Sequence, residues 1–145
     1  MQAARVKRAY ALFGVVFLIL GILTLLNVLA ALQVGQVFLL RAFAYGIMNL
    51  LVAYAFFRQE SWLMFAFSLN LIANTLLIVN TVMSSGADLG SLWMPLFGLA
   101  VMASVLAFVY YTKKSLHKTK WSLYTGTAFA LLWVGTFSYN ALSAF

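Results

Sequence analysis

The sequence predicts an all-α integral membrane protein, a bundle of five transmembrane helices with the N-terminus cytoplasmic and the C-terminus outside. Three observations lead there. Hydrophobic residues make up 66% of the chain and charged residues 8%, whereas about a quarter of an average soluble domain is charged. The apolar residues fall into five runs, about 10–32, 37–57, 61–83, 92–111 and 121–143. Each is long enough for the ~20 residues that cross a ~30 Å hydrocarbon layer. Finally, every Lys and Arg except Arg41 lies on alternate breaks between the runs. The short breaks leave no room for a soluble domain, so residues 1–145 read as a single transmembrane helical domain. The runs lack the polar face of a soluble core helix, and nothing alternates with the period of two that a barrel needs.

The first run follows a short basic lead with Arg5, Lys7 and Arg8. A signal peptide starts in this way, but its apolar core spans only about 7–15 residues, so this run reads as a retained first helix. Gly14 and Gly21, seven apart, predict a small-residue seam with Thr24 and Ala31 nearby. A break at Gln33-Val34-Gly35-Gln36 leads into the second run, and Arg58-Gln59-Glu60 turns it back into the third. The loop Ser84 to Ser91, rich in small residues, carries Asp88. Pro95 is expected in the first turn of the fourth helix, where its missing N–H is no loss. Thr112 to Lys120 is a basic loop with Lys113, Lys114, Lys118, Lys120 and the single histidine, His117, which reads as a solvated interfacial residue. In the fifth run Ser122, Gly126 and Ala130 recur at fours and predict a second close-packing ridge.

Orientation follows from the charges. The N-terminus, the Arg58 turn and the 112–120 loop share one side, which the positive-inside rule makes cytoplasmic. Tyr10, Trp62, Tyr110, Tyr111, Trp121 and Tyr124 mark the inner interface, and Trp93 and Tyr139 the outer. The membrane is read as a bacterial or archaeal cytoplasmic (inner) membrane. The basic loop is expected to meet anionic lipid headgroups through Lys113, Lys114, Lys118 and Lys120, not nucleic acid.

The second and third runs hold the polar centre. Arg41, Tyr45 and Asn49 recur every four residues and share one helical face, as do Asn70 and Asn74 in the third run. If the two runs pair about the Arg58 turn, Asn49 lies level with Asn70 and Tyr45 with Asn74. An unpaired amide in hydrocarbon costs several kcal/mol, so these residues should find partners. They serve either as helix-to-helix glue, the simpler reading, or as a polar site for a ligand. Arg41 begins only ~6 Å below the interface by the helical rise. It either snorkels to the headgroups or contacts an anion.

Chemistry is sparse. The chain has no cysteine and one histidine, so clustered Cys, His and carboxylate metal sites lack material. No cofactor is expected. No Asp, Glu, His or Lys lies within a run, although intramembrane carboxylates commonly couple proton and sodium carriers. The expectation is a non-catalytic structural or accessory subunit, packing against other membrane subunits or against itself. The alternative is a small homo-oligomeric transporter, pore or lipid-binding protein with its site between the second and third helices.

Overall fold

The computed structural model describes residues 2–30, 36–85 and 89–142. Five α-helices account for most of them: α1 (Gln2–Ala30), α2 (Gln36–Arg58), α3 (Leu63–Ser85), α4 (Leu89–Tyr111) and α5 (Lys120–Leu142), with a 3-10 turn at Lys113–Ser115. Among the described residues there is no strand. One segment, Ala3–Leu29, is long and apolar enough to cross a membrane, a property that a membrane span shares with an N-terminal signal sequence. The apolar segments Ala42–Arg58, Leu63–Leu76 and Pro95–Tyr111 are shorter.

Two helix starts differ from expectation. α1 begins at Gln2, because the polar lead continues the helix ahead of the apolar run. α4 begins at Leu89, which places Pro95 inside the helix and not in its first turn. There proline removes the N–H that would reach the carbonyl four residues back.

The chain divides into two compact units, one of residues 1–62 and 116–145 and the other of residues 63–115. In the first, α2 packs against both α1 and α5. The α1–α2 contact is close because glycines line it. A Cβ on Gly14 would lie 2.8 Å from the Phe57 ring, one on Gly21 2.7 Å from Leu50, and one on Gly46 2.6 Å from Leu25. As residue numbers rise along α1, their partners fall along α2, so the helices run antiparallel. Gly14, Gly21 and Val28 are buried at intervals of seven, the repeat of a left-handed helix pair. Near one end Phe56 is fully buried. Its ring centroid lies 5.9 Å from Tyr10, 5.4 Å from Phe13 and 5.5 Å from Phe17, the last stacked. The expected seam through Gly14 and Gly21 is thus the contact with α2, and Gly46 is its counterpart there.

In the second unit α3 packs against α4. Leu63, Ala66, Phe67 and Ala73 are buried on α3, and Leu92, Val105 and Val109 on α4. The hydroxyls of Thr75 and Ser104 donate to carbonyls one turn back in their own helices, at 2.8 Å each. A hydroxyl in an apolar helix is satisfied this way without a partner helix.

Candidate functional site

The polar residues of the first unit gather where α2 ends and α5 begins. α2 closes with a Schellman arrangement: the Glu60 N–H donates to Ala55 O at 2.9 Å and the Gln59 N–H to Phe56 O at 3.2 Å. Gln59 takes the left-handed conformation, with φ of 53°. Glycine usually fills that position, and a side chain there is uncommon. The turn is laced to the segment before α5. The His117 N–H donates to Gln59 O at 2.7 Å, and the Ser61 N–H to His117 O at 3.0 Å.

This lacing seats Glu60, which is fully buried. Thr119 Oγ1 donates to Glu60 Oε1 at 2.8 Å, and Ser122 Oγ donates to Glu60 Oε2. Both carboxyl oxygens therefore accept a hydroxyl. Thr119 precedes the first residue of α5, and its N–H donates to Ser122 Oγ at 2.8 Å. That bond is half of a capping box, with serine where Glu or Gln is usual. α5 has no acid in its own first turn. Glu60 supplies one from the α2 end, where the helix dipole favours negative charge. Ser122 is 6% exposed, so its hydroxyl serves as part of a clasp.

Trp62 extends the clasp along α5. Its Nε1 donates to Thr125 Oγ1 at 3.1 Å, and its ring centroid lies 5.3 Å from that of Phe129. A Cβ on Gly126 would lie 3.2 Å from the indole. The small residue on the expected Ser122–Gly126–Ala130 ridge thus receives a tryptophan from the turn. The interfacial reading of the aromatics is corrected at two positions: Trp62 and Tyr10 are buried inside the unit. Their polar tips give an aromatic belt residue and a buried packing residue the same signature. Tyr110, Tyr111, Trp121, Tyr124 and Trp93 are exposed, and the side chain of Tyr139 lies outside the described residues.

Above the clasp is an open pocket of about 300 Å³, lined by Lys7, Phe57, Arg58, Gln59, His117 and Thr119. It brings together the start of α1, the end of α2 and the approach to α5. Lys7, Arg58 and His117 are exposed, so the pocket is basic.

The residues singled out from the sequence are placed as follows. Tyr45 is exposed and Asn49 half-buried on α2; the side chain of Arg41 lies outside the described residues. On α3, Asn74 Nδ2 donates to Asn70 O at 2.7 Å and lies 3.6 Å from Met102 Sδ of α4. Asn70 and Asn74 are thereby brought together on one face. Of the basic loop, Lys113, Lys114, Lys118 and Lys120 are all exposed. Lys113 Nζ sits 4.5 Å from the Tyr110 ring centroid, a cation–π contact. The His117 side chain is exposed, as expected, but its backbone holds the turn. Sequence reasoning missed the Glu60 clasp. The one signal for it was an acid facing a Thr-x-x-Ser pair in a chain with only two acids.

No protein-family model matches the chain, and no curated protein or solved structure matches it either.

Proposed function

We propose that this protein is a five-span membrane protein that acts without catalysis, packing its apolar helix faces against other membrane proteins. The observation that supports this most is the exposure of large apolar side chains along every helix. Leu12, Ile19 and Leu26 of α1, Phe43 of α2, Ile72 and Leu76 of α3, Phe97 of α4 and Leu131 of α5 are all exposed. A soluble monomer rarely leaves contiguous apolar patches beyond a few hundred Å², whereas lipid or a partner helix covers such faces. The charge pattern supports the orientation, with the N-terminus, the Arg58 turn and the 112–120 loop cytoplasmic in a bacterial or archaeal inner membrane. The shared pocket of Lys7, Arg58 and His117 is consistent with those three segments lying on one side.

The polar layer belongs to this reading as glue. Asn74 Nδ2 finds acceptors on α3 and α4.

Co-purification from native membranes in mild detergent tests the role. The accessory reading expects a larger membrane protein in fixed stoichiometry. It also expects Asn49→Leu to preserve that assembly, because interhelical hydrogen bonds in membranes average about 0.6 kcal/mol. Recovery as an isolated homo-oligomer would overturn it in favour of a small transporter, pore or lipid-binding protein. The basic pocket favours the lipid-binding form of that second reading.

A further inference from the structure

We propose that the pocket bounded by Lys7, Arg58 and His117 binds the phosphate of an anionic phospholipid headgroup at the cytoplasmic face. The inference rests on the membrane reading above and adds to it a specific site with a specific chemistry.

The pocket brings together two cations, Lys7 and Arg58. Among the described residues the single acid is Glu60, and Thr119 and Ser122 occupy both of its oxygens beneath the pocket. Neither Lys7 nor Arg58 has an ion-pair partner among the described residues. Two cations around one concavity repel each other, and an anion seated between them relieves that repulsion. Arg58 contributes a planar fork that matches two phosphate oxygens at once, and Lys7 a point charge. Gln59 adds a carboxamide donor, and His117 a ring N–H.

The walls are set before any ligand arrives. The left-handed Gln59 fixes where the chain leaves α2, and two backbone bonds tie the turn to His117. Little ordering remains to be done on binding, which favours affinity. A phospholipid fits better than a free anion because Phe57, 47% exposed, forms one wall. It offers an apolar surface to the glycerol and upper acyl chain beside the phosphate site. A volume of about 300 Å³ lies at the small end of ligand pockets. It suits a compact headgroup.

Native mass spectrometry of the full chain, released from detergent with added phosphatidylglycerol or phosphatidylcholine, tests the site. Preferential retention of one phosphatidylglycerol is expected. Arg58→Gln should weaken that retention about tenfold, the effect of losing a charge-assisted pair. Arg58→Lys keeps the charge but loses the fork, and should fall between Arg58→Gln and the unchanged protein. Arg8→Gln removes an equal charge one residue from Lys7, outside the pocket lining, and should change retention less than about twofold by loss of diffuse attraction alone. Equal losses for Arg58→Gln and Arg8→Gln, or full retention by Arg58→Lys, would overturn the site in favour of diffuse attraction. Inorganic phosphate that displaces the lipid completely at millimolar concentration would overturn the lipid as occupant and leave a soluble phosphate in its place. Extraction of the chain from membranes by alkaline carbonate would refute the membrane reading itself. An embedded chain whose lipid retention ignores Arg58 would refute only the pocket.

Discussion

Replacing Glu60 with alanine is expected to destabilise the protein by about 2–4 kcal/mol, as read from reversible denaturation in mixed detergent micelles. The substitution removes the acceptor for the buried Ser122 hydroxyl and the half-buried Thr119 hydroxyl, and each such loss costs about 1–3 kcal/mol. It also leaves a gap where a fully buried side chain stood. Glu60→Gln should cost only about 1 kcal/mol, because one carboxamide oxygen still accepts while a hydroxyl turns to receive the NH₂ group. Ser122→Ala should add little in the Glu60→Ala background although it is costly alone, a coupling of about 1–2 kcal/mol between groups in one network. Additive losses at the two positions would mean that Glu60 and Ser122 stabilise the fold independently. A neutral Glu60→Ala would mean that the clasp contributes nothing.

The second large effect is expected at the α1–α2 seam. A Cβ on Gly21 would sit 2.7 Å from Leu50 and 3.2 Å from the carbonyl oxygen of Gly46. The leucine can rotate, but the backbone carbonyl cannot, so a larger residue must push the helices apart. Gly21→Leu should cost about 1–3 kcal/mol through overpacking. Gly135→Leu and Gly98→Leu are the controls, since a Cβ at either position meets nothing within 4 Å. These two should be neutral or slightly stabilising, because leucine is the better helix former by up to about 1 kcal/mol. The same melting point for Gly21→Leu as for the controls would show that the helices do not approach closely there.

These two features also show what could be read in advance. The five helices were legible because the apolar runs are long and the polar breaks sharp. The seam at Gly14 and Gly21 was legible because both residues lie on one helix at an interval of seven. Its counterpart Gly46 was not singled out, since a lone glycine in an apolar run carries no period. Glu60 and Ser122 are separated by 62 residues, and no local pattern links a turn acid to a hydroxyl on a distant helix start. The basic pocket escaped for the same reason: Lys7, Arg58 and His117 meet only once three helix ends converge. Trp62 was misplaced because an aromatic beside a polar break fits both a headgroup belt and a packed turn. Asn74 was read as a partner for a neighbouring helix, and part of its bonding goes to its own helix through Asn70 O. An amide one turn from a carbonyl always has that option.

The central claim is a five-span bundle with the basic connections inside. The chain contains no cysteine, so single-cysteine variants can be labelled without background. Asp88→Cys, Lys118→Cys and Phe145→Cys, treated in intact cells with a membrane-impermeant maleimide, test it most directly. The account expects Asp88→Cys and Phe145→Cys to label in intact cells, and Lys118→Cys only after permeabilisation. Labelling of Lys118→Cys in intact cells, or protection of Phe145→Cys until the membrane is opened, would contradict it.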